Sequence, residues 1–244
     1  MLNPIAALWR CLLLLVGLFA LACAPASAET SVDLELVLAV DASGSVDDGE
    51  FALQMGGIAA AFRDPEIIEA ITGGPLGRIA VAVVIWSDAQ RPKDVLAWRL
   101  IRDRATAEAF AARVLRHPRK IPAGGTGIGA AVMFAVKQIE SNDITGTRRV
   151  VDVSGDGRET TFREWMVPPT RARAHAIRRR VTVNGLAILT DEPQLDDYYR
   201  DEVVGGPGSF VQVAQSYDDF AVAIRRKLLR EIRYGPPVAW RQGE

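Results

Sequence analysis

The sequence predicts an α/β fold: a doubly wound, mostly parallel β-sheet with helices on both faces. Two observations carry this expectation. Residues 34–40 and 79–86 are near-continuous apolar runs, the pattern of strands covered on both faces rather than strands with one wet side. Between such runs lie segments whose apolar residues recur every three or four positions. Strand and helix patterns therefore alternate, as they do where helices connect parallel strands.

The chain of 244 residues opens with Arg10 as the only charge before an apolar run at 11–21, followed by Ala26-Ser27-Ala28. A charge, a short apolar stretch and a small-x-small pattern make residues 1–28 an expected export signal, with Glu29 starting the mature chain. The apolar run is shorter than the ~20 residues of a spanning helix, so no stable membrane insertion is expected once the signal is gone. Leu21-Ala22-Cys23 offers lipidation at Cys23 as the lesser alternative, because Ala20 stands where a lipobox prefers leucine. A periplasmic or secreted destination follows.

Both cysteines, Cys11 and Cys23, fall inside the signal, so the mature chain has no thiol and its stability must come from its core. Removing the signal takes one arginine from the 29 Lys and Arg and none of the 30 Asp and Glu. Such near balance argues against general binding to nucleic acid or to anionic membrane. About 216 residues remain, which is one domain spanning 29–244.

Within that domain the first strand is expected at 34–40. A helix follows the acidic start Asp47-Asp48-Gly49-Glu50, with Phe51, Met55, Ile58 and Phe62 as its core stripe. The second strand is 79–86, and 94–100 reads as an additional edge strand. A helix at 106–115 precedes another whose stripe is Ile128, Val132, Ala135 and Ile139. A strand at 149–153 leads towards Pro168-Pro169, which open a helix at 170–180. Strands at 181–189 and 210–213 and a helix at 217–232 complete the pattern. Gly235-Pro236-Pro237 then stops the last helix and leaves a tail at 235–244.

Chemistry concentrates where strands end, the edge on which ligands collect in such sheets. Asp41-Ala42-Ser43-Gly44-Ser45 places a carboxylate and two hydroxyls at i, i+2 and i+4 directly after the first strand. Gly44 is expected to let the backbone curl so that the three face one point. The donors are all oxygen, which suits a hard cation rather than zinc or copper. Two further loops offer oxygens. Gly124-Gly125-Thr126-Gly127 opens a helix, and Asp152-Val153-Ser154-Gly155-Asp156-Gly157 ends a strand. Asp152 lies within its strand and is expected in a buried hydrogen bond or salt bridge. Gly125-x-Gly127-x-x-Ala130 superficially meets a dinucleotide fingerprint, but no strand leads into it.

This set resembles the von Willebrand factor A-type (vWA) domain with its metal-ion-dependent adhesion site. Asp41, Ser43 and Ser45 match the Asp-x-Ser-x-Ser loop of that family, Thr126 its distant threonine, and Asp156 with Gly157 its distant Asp-Gly. The chain departs from the pattern at Gly155, where the family has Thr or Ser. The resemblance implies a bound Mg²⁺ or Mn²⁺. Ser43 and Ser45 would be direct ligands, Thr126 a direct or water-mediated one, and Asp41 and Asp156 would act largely through water. It also implies an open coordination position that takes a carboxylate from the Asp or Glu of a protein partner. The expected activity is thus binding, not catalysis.

The competing reading is a haloacid-dehalogenase-like phosphotransferase using Asp41. That chemistry wants a second aspartate two residues on, where this chain has Ser43. A serine hydrolase lacks a histidine partner for Ser43 or Ser45, since His117 and His175 read as surface residues. Ser87-Asp88 is a candidate support for the site, and residues 158–167, carrying Phe162 and Trp165, form a loop long enough to shape recognition. The run Arg171, Arg173, Arg178, Arg179 and Arg180 reads as a solvated helix face.

Overall fold

The two near-continuous apolar runs become adjacent strands in the middle of a six-stranded sheet. Strand β1 (Thr30–Asp41) and strand β2 (Ile79–Trp86) run parallel, with Leu34 opposite Ile79 and Asp41 opposite Trp86. Successive side chains point to opposite faces, and both faces are apolar. Leu34, Leu36, Leu38 and Val40 join Ile79, Val81, Val83 and Ile85 in one core. Val37 and Ala39 join Val84 and Trp86 in the other. The computed structural model describes residues 30–233 apart from 92, 162 and 163. The expected export signal, the tail and Phe162 lie outside the described residues.

The remaining strands are β3 (Asp94–Ile101), β4 (Ile144–Gly155), β5 (Thr182–Ile188) and β6 (Val211–Ala214). Their order is β3-β2-β1-β4-β5-β6, with β3 the antiparallel edge strand. The sheet is thus mixed and mostly parallel, as the sequence predicts. Chain order runs one way from β1 to β2 and the other way from β1 to β4. The β1–β4 boundary is therefore the switch point at which such sheets bind ligands.

On the first face lie α1 (Asp48–Arg63), α2 (Pro65–Thr72), α3 (Arg104–Leu115) and α7 (Phe220–Arg233). Phe62 of α1 meets Phe110 of α3 edge-to-face, with ring centroids 4.7 Å apart. The second face holds α4 (Ile128–Glu140), α5 (Pro169–Arg178) and α6 (Leu195–Tyr198), which runs on into a π-helical turn at Tyr199–Val203. Full burial of one Leu, Ile or Phe side chain stabilises by about 1.5–3 kcal/mol, so the two cores suffice where disulfides are absent. Among the described residues no helix is long and apolar enough to cross a membrane.

Local chemistry sets the element ends. Asp47 caps α1 by accepting from the Glu50 amide at 2.8 Å, while Glu50 accepts from the Asp47 amide at 2.8 Å. Helix α2 lies outside the expected pattern. Its eight residues give too short a stripe, yet Asp64 accepts from the Glu66 and Ile67 amides and Pro65 occupies the first turn. Helix α5 stops at Arg178 rather than at 180, because Arg180 turns left-handed (φ 57°) and Val181 donates back to the Ala176 carbonyl at 2.9 Å. Strand β4 starts at Ile144 rather than 149, since its first half alternates half-buried with exposed residues and so lacks an apolar run.

Candidate metal site at the carboxyl edge of the sheet

Asp41 is the last residue of β1 and is fully buried. One of its oxygens, Oδ1, accepts from the Ser43 amide at 2.7 Å, which folds the loop back over the strand end. The other, Oδ2, has no hydrogen-bond partner among the described residues. Ser43 Oγ lies 3.3 Å from Ser45 Oγ, and Ser45 Oγ donates to Asp156 Oδ1 at 2.8 Å. The first loop and the loop after β4 therefore meet through the side chains that the sequence singles out.

Thr126 joins from the third loop. It is buried, and it lines a cleft of about 310 Å³ with Ser45, Asp156, Arg158, Asp191 and Glu192. Its backbone is clamped, since Thr126 N donates to Thr160 Oγ1 at 2.7 Å and Thr160 N donates to Thr126 O at 2.9 Å. The 158–167 segment thus packs onto this loop. Glu159 does the same by accepting from the Gly129 amide at 2.9 Å, which supplies the cap that Gly127 lacks at the start of α4. Ser87 and Asp88 lie against the same loop. The Ser87 carbonyl accepts from Gly127 N at 3.1 Å, and Gly124 has room only for hydrogen beside Asp88.

Gly44 lies in the turn that curls the first loop, as expected, but not through a left-handed conformation. The described positive-φ glycines are Gly77, Gly206 and Gly208, so Gly44 is not a left-handed hinge. It serves close approach instead: its amide donates to the Gly124 carbonyl at 2.8 Å, and a Cβ there would sit 3.1 Å from the same oxygen. His117 is likewise not a free surface histidine. Its Nε2 lies 2.6 Å from Asp94 Oδ2 with the ring largely covered. Neither histidine lines the cleft.

Three residues absent from the sequence-based set shape the site. Tyr199 is fully buried in the π-helical turn, and a Cβ on Gly155 would come within 2.8 Å of both Asp41 Oδ2 and the Tyr199 hydroxyl. The tyrosine fills the space that a Thr or Ser at 155 would need, which explains the one departure from the motif. Arg119 donates to the carbonyls of Val46, Ala42 and Ser43 at 2.8, 3.1 and 3.1 Å, pinning the first loop from behind. Gln54 of α1 donates to the Asp41 carbonyl at 3.0 Å. Arg119 gave no usable signal, because a contact across more than 70 positions leaves no periodic trace. The Tyr198-Tyr199 pair is visible, but without a stripe to place it.

The electrostatics centre on Asp41. Burial, and then the neighbouring Asp156 charge, push its carboxyl up to about 8, against the opposing Ser43 hydrogen bonds and the Arg119 charge. Tyr199 is held well above the ordinary phenol range by burial and then by Asp41 and Asp156. Tyr217, in the turn before α7, is raised by burial and then by Asp156 and Asp41. These phenols remain protonated beside two carboxyl groups whose nearest named counter-charge, Arg119, does not offset burial. An unpartnered buried carboxylate oxygen, three hydroxyls and a second carboxylate form an all-oxygen donor set of the kind that fits a hard divalent cation.

Comparison with known proteins agrees with this architecture. A family described as "Protein of unknown function (DUF1194)" matches residues 31–235. No curated protein matches. The vWF domain of the type V pili tip protein Mfa5 from Porphyromonas gingivalis is similar with a TM-score of 0.55 at 12% identity, over 87% of this chain and 98% of that one. The pilus adhesin SpaC from Lactobacillus rhamnosus GG gives 0.57 at 12%, over 83% and 31%. Proximal thread matrix protein 1 of the mussel byssus, with a zinc-occupied MIDAS motif, gives 0.54 at 15%, over 84% and 48%. This chain therefore spans about a third of SpaC and about half of the byssus protein. At these identities the likeness shows the fold alone: it is vWA-like.

Proposed function

The chain belongs to the DUF1194 family, and from that premise we propose that it is an exported, divalent-cation-dependent protein-binding domain. In this reading residues 1–28 direct export, and the domain works in the periplasm or outside the cell. Ser43, Ser45 and Thr126 hold Mg²⁺ or Mn²⁺ through their hydroxyls, with Asp41 and Asp156 acting on its water shell. The bound ion supplies a Lewis-acidic docking point for a carboxylate from an Asp or Glu of a protein partner.

The observation that carries this reading is the buried, unpartnered Oδ2 of Asp41 beneath the Ser45–Asp156 contact. Burying such an oxygen without a partner costs about 1–3 kcal/mol, and a cation removes that cost. The residues of the chain perform the rest. Arg119 and the Ser43 amide hold the first loop in place. Thr160 and Glu159 hold the Thr126 loop. Only hydroxyls approach the ion directly in this assignment, so the site leaves it short of negative charge and receptive to a partner's carboxylate. The cleft offers no histidine or lysine as an acid–base partner, which favours binding over turnover.

The test is a thermal melt of the purified chain in chelator and then with Mg²⁺ or Mn²⁺. At ion concentrations about a hundredfold above Kd, linkage gives ~2.7 kcal/mol, a rise of about 5–10 °C for a chain of this size. Asp41→Ala should melt at one temperature with or without ion. A folded wild-type chain indifferent to both ions sinks the proposal.

A further inference from the structure

At the opposite end of the sheet, the amino ends of β4 and β5 enclose a second cleft, of about 210 Å³. Three arginines line it: Arg148 and Arg149 from β4, and Arg180 from the turn between α5 and β5. On the one carboxylate of its wall, Glu231, Oε1 accepts from Lys227 Nζ at 2.7 Å and from Asn184 Nδ2 at 2.7 Å, so its charge is balanced by the buried lysine, while Oε2 has no hydrogen-bond partner among the described residues. Val150 and Phe210 supply apolar wall. We propose that this cleft binds a small organic anion, its carboxylate or phosphate held by Arg149 and Arg180 and its apolar body lying against Val150 and Phe210.

The three arginines differ in how far they are committed. Arg148 donates to the Glu231 and Ile232 carbonyls at 2.6 and 3.1 Å and thereby ties β4 to the end of α7. Arg149 gives one of its five N–H groups to the Arg179 carbonyl at 2.8 Å. Arg180 makes no side-chain hydrogen bond or ion pair among the described residues. Two other members of the same basic run are occupied: Arg173 donates to the Asp201 and Val204 carbonyls, and Arg179 pairs with Glu140 at 3.1 Å. The run is therefore not a uniform solvated face.

Arg180 is also the only described non-glycine residue with positive φ, at 57°. It stands just past a helix end, where glycine is the usual occupant because it adopts the left-handed conformation without steric cost. The chain thus places a long cationic side chain at a position that favours no side chain at all, and that side chain borders the cleft. Strain of this kind persists where the surroundings fix it and collects at functional sites. Guanidinium groups bind carboxylate and phosphate through paired N–H donors. The volume lies below the ~300 Å³ at which drug-sized pockets begin, so the occupant has on the order of ten non-hydrogen atoms.

Titration calorimetry on the purified chain with phenyl phosphate, benzoate and inorganic phosphate tests the proposal. At least one aryl anion should bind saturably, and Arg149→Ala and Arg180→Gly should each weaken it about tenfold, as loss of a charge-assisted hydrogen bond does. Arg180→Gly should also raise the melting temperature of the unliganded protein by about 2 °C by relieving the left-handed strain. A purely structural arginine would not give that pairing of weaker binding with higher stability. Arg171→Ala, on the exposed side of α5, should leave binding unchanged. Equal affinity for inorganic and phenyl phosphate overturns the apolar wall. The absence of binding by all three anions, or undiminished binding in the Arg149→Ala/Arg180→Gly double variant, overturns the site.

Discussion

Asp41 and Asp152 sit on neighbouring strands, each sealed from water, and they meet the same electrostatic problem in opposite ways. Asp152 has its counter-charge built in: Lys227 of α7, fully buried, places Nζ 2.8 Å from Asp152 Oδ1 and 2.7 Å from Glu231 Oε1. Asp41 has a backbone amide on one oxygen and nothing on the other among the described residues, with a second carboxylate as its near neighbour. Burial raises both carboxyls, Asp41 to about 8 and Asp152 to about 7, the latter in spite of the lysine. The first site has its cation within the chain, although Asp152 Oδ2, like Asp41 Oδ2, has no hydrogen-bond partner among the described residues. The second has no such cation against its carboxylate, and under the proposed function that partner would be the bound metal.

Three changes sharpen or break that contrast. The largest effect is expected from Lys227→Met, which leaves Asp152 and Glu231 buried without a cation. Breaking a buried pair in this way costs about 3–5 kcal/mol, read as a lower urea midpoint at unchanged slope. A loss below ~1 kcal/mol would place the lysine in the class of exposed pairs and erase the difference between the two sites.

Asp41→Asn should act with the opposite sign in chelator. Above about pH 8, where the Asp41 carboxyl is ionised, it removes a buried charge while keeping the shape, and should stabilise the metal-free chain by about 1–3 kcal/mol. Destabilisation by Asn would mean that the Asp41 charge is balanced within the chain, as that of Asp152 is.

The smallest effect concerns pH. A carboxyl raised from 3.8 to about 7 binds its proton in the folded chain where the unfolded chain has released it. Its contribution therefore lowers stability as pH climbs from about 4 to about 7. The stability of wild type minus that of Asp152→Asn should fall across this window in urea titrations. A difference that rises instead would assign Asp152 a depressed carboxyl and a net stabilising charge.

Much of this was legible in the chain because it repeats locally. The covered strands announce themselves as apolar runs, and the helices as stripes such as Phe51, Met55, Ile58 and Phe62. Asp41, Ser43, Ser45, Thr126 and Asp156 stand at element ends, where a polar residue after an apolar run is conspicuous, and the structure brings Ser43, Ser45 and Asp156 into direct contact. What escaped is set by distance along the chain. Arg119 acts mainly on carbonyls, and its one side-chain partner, Asp48, lies 71 positions away. Tyr199 fills the hollow over Gly155 from 44 positions away. Helix α2 is too short for periodicity, although Asp64-Pro65 mark its start. Lys227, which no sequence pattern distinguishes from the exposed charges of its helix, is wholly interior.

The grip of Arg119 on three carbonyl groups of the first loop also bears on kinetics. A loop held this way spends its ordering entropy during folding, so the cation of the proposed function would meet a receptor already in shape. The speed of capture is then governed by how readily the ion sheds water, not by loop closure. An Arg119→Lys chain, with its single-point donor, would turn a rigid receptacle into one that assembles around its guest.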